Sequence, residues 1–426
     1  MSHHTNIPVQ LPDLEGTVVR ILRKRKSSQV VFFTARAREN TYQIAIRKDV
    51  TEDFAEVKAV PNGSLLRVYG SWGSSENGTS TFFVHRADVL QRFGGLMPDK
   101  RHGIVNAERH LNRTMDWSTN EDSFRFTLLG ADIIASLRDV LRQWGFREFN
   151  TGVLQRRFEG GLANPFSTKC NANGQDYYLS LTSELKLKRL IAAGAMRVCE
   201  IGESFRNEGL SRVHSPEFTL LEAYGVDMTY LEIMKMVEEM TAEAARLAKM
   251  EGSLTATPFM RTTYREICQK VVGQSDPTLD FLIAEYPDQF VDGMPLFTWT
   301  MKLLETIVGP HLVEPTFVTE LPAGLSPLVR KTEHDTSVTD RAFLFAKGYF
   351  ICDIYTDEND SAVLEHELRE QAKLTGRDPD PEYLQCIKLG IPPTAGVGLG
   401  VNRLHMLFLP EELPHHIRET ILYPLG

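Results

Sequence analysis

The chain has 426 residues, more than one ordinary core accommodates and suited to about two or three domains. Hydrophobic residues make up 42% and charged residues 24%, the mixture of a water-soluble globular protein, and no stretch approaches the roughly 18 consecutive apolar residues of a membrane span or the apolar run of a signal peptide. The net charge is −9, and the five cysteines are scattered without a CxxC pair, which excludes a disulfide framework and a structural zinc site and leaves a reducing cytoplasm as the expected location, with no membrane partner.

Residues 15–92 read as short strands rich in Val, Phe, Ile and Thr: Thr17–Leu22, Gln29–Ala35, Thr41–Arg47, Leu65–Tyr69 and Thr81–His85. Five strands in so short a span suit a small barrel, and the OB-fold is the commonest such barrel that binds nucleic acid. Between Arg20 and Lys48 stand nine Lys or Arg residues and a single acid, Glu39. Such a run is either a solvated basic face or a surface for a phosphate backbone, where each neutralised phosphate releases counterions. The expected layout is a barrel over 1–92, a linker over 93–120 and a larger domain over 121–426.

In that larger domain the spacing of Ile133, Ile134, Leu137, Val140, Leu141 and Trp144 predicts an amphipathic helix over 122–144 that ends at Gly145. Strands are expected at Arg147–Thr151, Asp176–Leu181, Met196–Ile201, Phe218–Tyr224, Ala342–Phe345 and Tyr349–Tyr355. Helices are expected at 183–193, 229–249, 298–307, 360–374, 380–389 and 400–409. Long antiparallel strands flanked by helices define an α+β domain.

Three strings carry the chemistry. Phe205-Arg206-Asn207-Glu208-Gly209, followed by His214-Ser215-Pro216-Glu217-Phe218-Thr219, reads as a strand, a charged loop and a second strand. The pairing gathers Arg206, Glu208, His214 and Phe218 around one loop, where arginine offers a planar fork for phosphate or carboxylate and the ring can stack on a flat base. Gly396-Val397-Gly398-Leu399-Gly400-Val401-Asn402-Arg403-Leu404 is a glycine-alternating strand entering a helix. Trp144-Gly-Phe-Arg-Glu-Phe-Asn-Thr151 closes the first helix and opens a strand.

Together these strings resemble motifs 2, 3 and 1 of the class II aminoacyl-tRNA synthetases, lysyl-tRNA synthetase type. The connecting strings Gly160-Gly161-Leu-Ala-Asn-Pro-Phe166 and Ser183-Glu184-Leu-Lys-Leu-Lys-Arg189 match as well, and the resemblance runs from about residue 15 to the end. It implies a homodimer that uses ATP with Mg2+ to activate lysine or a lysine-like amino acid as an adenylate and transfers it to tRNA. By the same resemblance Arg206 holds the α-phosphate and the substrate carboxylate, Phe218 and Arg403 enclose adenine, and Glu208 and His214 meet the adenine end and the outer phosphates. Gly161, Glu184 and Glu222 receive the α-ammonium, Tyr224 and Asp357 the side-chain ammonium, and Tyr355 packs along the aliphatic stem. In the barrel, Phe32 and Gln43, with Arg25 and Arg36 nearby, resemble the residues that stack and edge-read an anticodon base.

The sequence departs from the family at several positions. The two strand glutamates that carry the Mg2+ ions of ATP are replaced by Phe343 and Phe350, and phenylalanine cannot ligate a hard cation. Asp353 stands in place of asparagine, where it either ligates a metal or meets the amino acid, and Asp357 stands in place of a glutamate one methylene longer. Gly152 replaces a proline and Asn402 an aspartate. These changes leave a second reading open: a paralogue with an impaired metal and ATP site that binds amino acid or tRNA for regulation, or that aminoacylates another acceptor.

Overall fold

The structure is a computed structural model and describes residues 11–95, 97–98, 109–157, 163–376 and 378–425. The chain divides into two compact units, Met1–Phe124 and Arg125–Gly426.

In the first unit, β1 (Thr17–Lys26), β2 (Val30–Ala37), β3 (Asn40–Arg47), β4 (Leu65–Ser74) and β5 (Ser80–Gln91) close into a barrel in the order β1-β2-β3-β5-β4. The closure follows from alternation: Val31, Phe33, Ala35 and Ala37 of β2 are buried with Val19, Ile21, Ile44, Ile46, Leu66, Val68, Phe82 and Val84, while Phe32, Thr34 and Arg36 point the other way. A β-carbon on Gly70 would come within 2.0 Å of the Phe83 carbonyl oxygen, so only glycine lets β4 and β5 approach there. All the strands read from the sequence are present. The short helix Phe54–Ala59 is additional, and a second, Arg113–Thr119, lies where the sequence suggested linker. Asn112 caps that second helix, and a buried pair, Arg109 with Asp116 at 2.9 Å, fastens it.

The second unit is built on an eight-stranded sheet in the order β12-β13-β14-β15-β16-β11-β10-β6. The strands are β6 (Arg147–Glu148), β10 (Arg197–Phe205), β11 (Glu217–Val226), β12 (Met260–Thr263), β13 (Thr316–Thr319), β14 (Arg341–Ala346), β15 (Tyr349–Thr356) and β16 (Thr394–Gly400); β7 (Leu154–Gln155), β8 (Ser167–Lys169) and β9 (Asp176–Leu179) form a separate three-stranded sheet. All neighbours in the large sheet are antiparallel except β12 with β13 and β10 with β6.

The two faces of this sheet differ in chemistry. One presents Leu221, Ala223, Ala342, Leu344, Cys352, Ile354, Val397 and Leu399 to the helices Glu121–Gln143 and Tyr230–Leu247, whose Ile133, Leu137, Ile233 and Val237 are fully buried against them. The other face carries the polar residues of the candidate site, the alternation expected of strands with one side on the core. Helices Glu184–Ala192, Ser361–Thr375 and Pro381–Leu389 wall that face at one end. At the other end a helical segment spans Tyr264–Val272, Leu279–Glu285 and Leu296–Lys302, the last running on through π-type turns at Leu303–Val308. Thr263 accepts from the Glu266 amide and Glu266 accepts in return from Thr263, a capping box that places the first of these helices.

Candidate functional site

Register across the sheet sets the floor of the site. Phe343 lies opposite Asp353, followed across the strands by Gly398, Glu222 and Glu200. Two residues along, Arg341 lies opposite Tyr355, then Gly396, Tyr224 and Val198. The glycines of β16 make this floor flat. A β-carbon on Gly396 would sit 2.2 Å from Tyr224 Cδ1, whereas one on Gly398 meets nothing within 4 Å, so the space above Gly398 is open.

Arg206 follows directly on β10, and its amide donates to the Pro216 carbonyl at 2.8 Å, so the loop between β10 and β11 is closed at its root. The Arg206 guanidinium carbon stands 5.1 Å from the centre of the Phe218 ring. Its Nε is buried with no hydrogen-bond partner, and burial lowers its pKa from the usual arginine value. An unsatisfied buried donor costs about 1–3 kcal/mol, a cost that an anion placed beside it would remove.

The other cations of the cleft already have partners. Arg403, two residues into the helix Val401–Met406, donates to Glu305 Oε1 at 2.9 Å and to the Phe350 carbonyl at 3.2 Å, and its other terminal nitrogen lies 2.9 Å from His214 Nε2. His214 Nδ1 is 2.8 Å from the Ser211 hydroxyl, and burial together with Arg403 lowers the His214 pKa. Glu208 Oε1 accepts weakly from the Asn164 amide at 3.4 Å. Glu305 comes from the π-type turns and was not singled out in the sequence, where it reads as one more acid on a helix.

At the opposite end, Glu222 is 5% exposed and accepts from the Thr182 hydroxyl at 2.5 Å, the Ser183 hydroxyl at 2.6 Å and the Ser183 amide. Burial and the nearby Glu184 raise its pKa. Three donors on one carboxylate make it the fastener of the turn that presents Glu184. Glu184 Oε1 accepts from the Tyr355 hydroxyl at 2.5 Å and from Lys188 Nζ at 2.6 Å. Lys188 Nζ is also 2.7 Å from Asp357 Oδ1 and lies 5.1 and 5.3 Å from the ring centres of Tyr224 and Tyr355. The Asp357 contact is close enough for an ion pair but off the direction of a hydrogen bond, so both Asp357 oxygens lack an aligned donor. Lys188 was legible only as the fourth residue after Glu184, the spacing of a helical ion pair.

Asp353 is not a free carboxylate. Arg341 donates to its two oxygens at 2.8 and 2.5 Å, a bidentate pair in which the arginine is 4% exposed. Both oxygens are engaged by one guanidinium, and no metal-ligating group of three forms around Asp353 among the described residues. Phe343 is fully buried, its ring in edge contact with Phe350 at 5.1 Å, and Phe345 lies 5.6 Å from Phe350. These rings join Tyr264, Leu303, Leu304 and Val308 in one apolar cluster, which seats the helical segment 264–308 on the sheet. Among the described residues no group of three His, Cys, Asp or Glu is placed to hold a metal ion. The side chains present do not fit a Mg2+ site at positions 343 and 350.

The two remaining departures are resolved locally. Gly152 has φ of +83°, closed to proline and rare for other L-residues, so the backbone after β6 takes a course that a proline there could not. Asn402 accepts from the Thr219 amide at 2.7 Å and donates to the Thr420 hydroxyl at 3.1 Å, tying β11 to the C-terminal turn. Gly161 lies outside the described residues.

In the barrel, Phe32 belongs to the outward set of β2 and is absent from the barrel core. Arg25 pairs with it across β1 and stands 5.6 Å from its ring centre, and Gln43 lies opposite Thr34 and donates to the Thr81 hydroxyl at 2.7 Å. Arg36 is otherwise engaged: it is paired with Glu121 at 2.9 Å and lies 4.2 Å from the Phe124 ring centre, so its charge is already neutralised.

A family profile described as tRNA synthetases class II (D, K and N) matches residues 106–426. A lysine–tRNA ligase of Dehalococcoides mccartyi is 32% identical over 432 residues, covering 95% of this chain and 86% of the relative. One of Enterococcus faecalis is 31% identical over 99% of this chain and 89% of the relative, and one of Streptococcus pyogenes is 32% identical over 97% and 88%. The chain therefore belongs to the class II tRNA synthetases of the D, K and N group. No helix of the described residues is long and apolar enough to cross a membrane.

The Lys188–Asp357 contact gives a pH test. Burial raises the Asp357 carboxyl from 3.8 to about 6 despite the neighbouring lysine. A folded pKa above the ordinary value means that the folded chain holds this proton more tightly. The stabilisation is complete below about pH 4 and is lost as pH rises through about 6. Asp357→Asn should remove this component, so that the fall in unfolding free energy between pH 4 and pH 7 shrinks by roughly 2–3 kcal/mol in denaturant titrations. An identical pH dependence in the two proteins would contradict the assignment.

Proposed function

We propose that the chain activates lysine with ATP as lysyl-adenylate and transfers the lysyl group to tRNA. The observation that carries this reading is Arg206, a half-buried cation whose buried Nε is unpartnered beside the Phe218 ring, at the head of an open floor whose far end is rich in carboxylate. A substrate with an anionic middle, a flat aromatic end and a cationic end matches that order of groups.

In the activation step a carboxylate oxygen of lysine attacks the α-phosphorus of ATP, the new C–O–P bond forms, and the bond to pyrophosphate breaks. Arg206 orients the carboxylate and the α-phosphate and opposes the negative charge that gathers between them. Phe218 stacks on the adenine, and Arg403 with His214 faces the departing phosphates. Arg403 must then exchange Glu305 for a phosphate oxygen, which couples triphosphate binding to a shift of the π-type turns. Glu184, held by the Glu222-fastened turn, takes the α-ammonium. No step is routed through a metal, since Phe343 and Phe350 supply no oxygen.

The outward face of the barrel, with Arg25, Phe32 and Gln43, suits a single-stranded base stacked on the phenylalanine and read at its edge. Arg36 is left out of that surface because Glu121 holds it. A homodimer through the helix Glu121–Gln143 and the strand that follows it accompanies this reading.

Lysine-dependent ATP–pyrophosphate exchange tests the activity. In Arg206→Ala the exchange should fall by at least about a hundredfold, the scale of losing one preorganised charge-stabilising group, with an unchanged thermal midpoint. Wild-type exchange in that variant would remove Arg206 from the chemistry. Phe32→Ala should weaken tRNA binding by about 1–3 kcal/mol without altering exchange. Equal tRNA affinity in a filter-binding titration would contradict the barrel assignment.

A further inference from the structure

A pocket of about 340 Å³ lies wholly within the first unit, between the outward face of the barrel and the helix Arg113–Thr119. Its volume is that of a small-ligand site. The floor is the end of the sheet where Arg20 of β1 lies directly opposite Arg36 of β2 on one side and Leu65 of β4 on the other. Trp117 of the helix forms part of the opposing wall. Arg36 fastens that wall: it donates to the Trp117 carbonyl and pairs with Glu121 at 2.9 Å, and the Thr41 hydroxyl donates to the same carboxylate at 2.6 Å.

Two features of this pocket cost stability and are not explained by packing. Arg20 and Arg36 are cross-strand neighbours on one face, a placement in which like charges repel. Glu121 answers Arg36 alone. Arg20 gives one terminal nitrogen to the Gly63 carbonyl at 2.9 Å, and among the described residues neither Arg20 nor Arg38 pairs with a carboxylate. Arg38 is the second feature. With Glu39 it forms the two-residue turn between β2 and β3, in which Ala37 pairs with Asn40 and the two turn residues have φ of +47° and +68°. Such a turn favours Asn-Gly, and an arginine in the left-handed region is strained. That strained turn sets Arg38 on the pocket, while Glu39 is not part of its walls.

We infer that this pocket binds a small organic phosphate, an ester whose dianionic head lies between Arg20 and Arg38 and whose apolar body rests on Leu65 and Trp117. Three guanidinium groups, those of Arg20, Arg36 and Arg38, against the one carboxylate of Glu121 leave two positive charges. A phosphate monoester balances that charge near neutral pH. Guanidinium forks suit phosphate oxygens, and the head group offsets the repulsion between Arg20 and Arg36. The backbone of a nucleic acid offers related chemistry, but each of its phosphates carries one charge and brings no apolar body to the far wall. The free ester is therefore the better match. The inference does not depend on the lysine-activation reading, because no residue of the sheet cleft enters this pocket.

The test is titration calorimetry of the full chain with phenyl phosphate, made in Arg206→Ala so that the anion-binding centre of the second unit is silent. One equivalent should bind. Adding Arg20→Gln and Arg38→Gln, both at exposed positions, should weaken it at least about tenfold, the scale of losing a hydrogen bond to a charged group. Absence of binding, or equal affinity with and without the two added substitutions, would overturn the proposal. If Arg206→Ala does not fold, the wild type serves with the same two substitutions, which should then remove a bound equivalent; full retention overturns the proposal. A tRNA filter-binding titration separates the two sources of phosphate. Saturating phenyl phosphate should leave tRNA affinity unchanged, whereas displacement of tRNA would give the arginines to a nucleic-acid backbone and overturn the small ester.

Discussion

Holding the Arg206 Nε out of water without a hydrogen-bond partner is the demand around which the cleft of the second unit is arranged. It is met because Arg206 sits where β10 and β11 diverge, with its backbone fixed to Pro216 and its side chain laid along the Phe218 ring. Glu208, two residues away, accepts from Asn164 and does not form an ion pair with it. The fold thus preserves an electrostatic vacancy at the centre of the cleft, and a ligand that brings a phosphate or carboxylate there gains a charge-assisted hydrogen bond at little cost in reorganisation.

Around that vacancy the remaining charges are paired within the chain. Arg341 holds Asp353, Glu305 and His214 hold Arg403, and Lys188 sits between Glu184 and Asp357. Where such pairs are buried they contribute little net stability, but removing one partner leaves an uncompensated charge. The aromatic pair Phe343 and Phe350 explains why Glu305 can approach Arg403: the rings anchor the segment 264–308 on the sheet, and the π-type turns of that segment aim Glu305 at the cleft. At these two positions the rings serve to pack a helical segment on the sheet.

Much of this was legible in the sequence. The barrel strands, the long helix ending at Gly145, the strand that leads to Arg206 and those that carry Phe218 and Tyr355 all announce themselves by alternation or helical period, signals that arise because one side of each element faces a core. The four-residue strands β12 and β13 are too short to show a period, and the helices Tyr264–Val272 and Leu279–Glu285 were not read from the sequence; the structure shows them capped by Thr263 and Thr278. The side-chain partners were less accessible. Which cation meets which carboxylate depends on register between distant strands, so Lys188 with Asp357, Arg341 with Asp353 and Glu305 with Arg403 emerge only once the sheet is assembled. Arg36 shows the converse: its place on the outward face of β2 follows from its spacing to Phe32, but its capture by Glu121 does not.

The most direct test of the account is the crystal structure of the chain with a non-hydrolysable lysyl-adenylate analogue. The account predicts the linkage between the lysyl and adenosyl halves against the Arg206 guanidinium, adenine on the Phe218 ring and the lysyl group over Gly398. An analogue bound elsewhere, or one that leaves Arg206 Nε still without a partner, would contradict it.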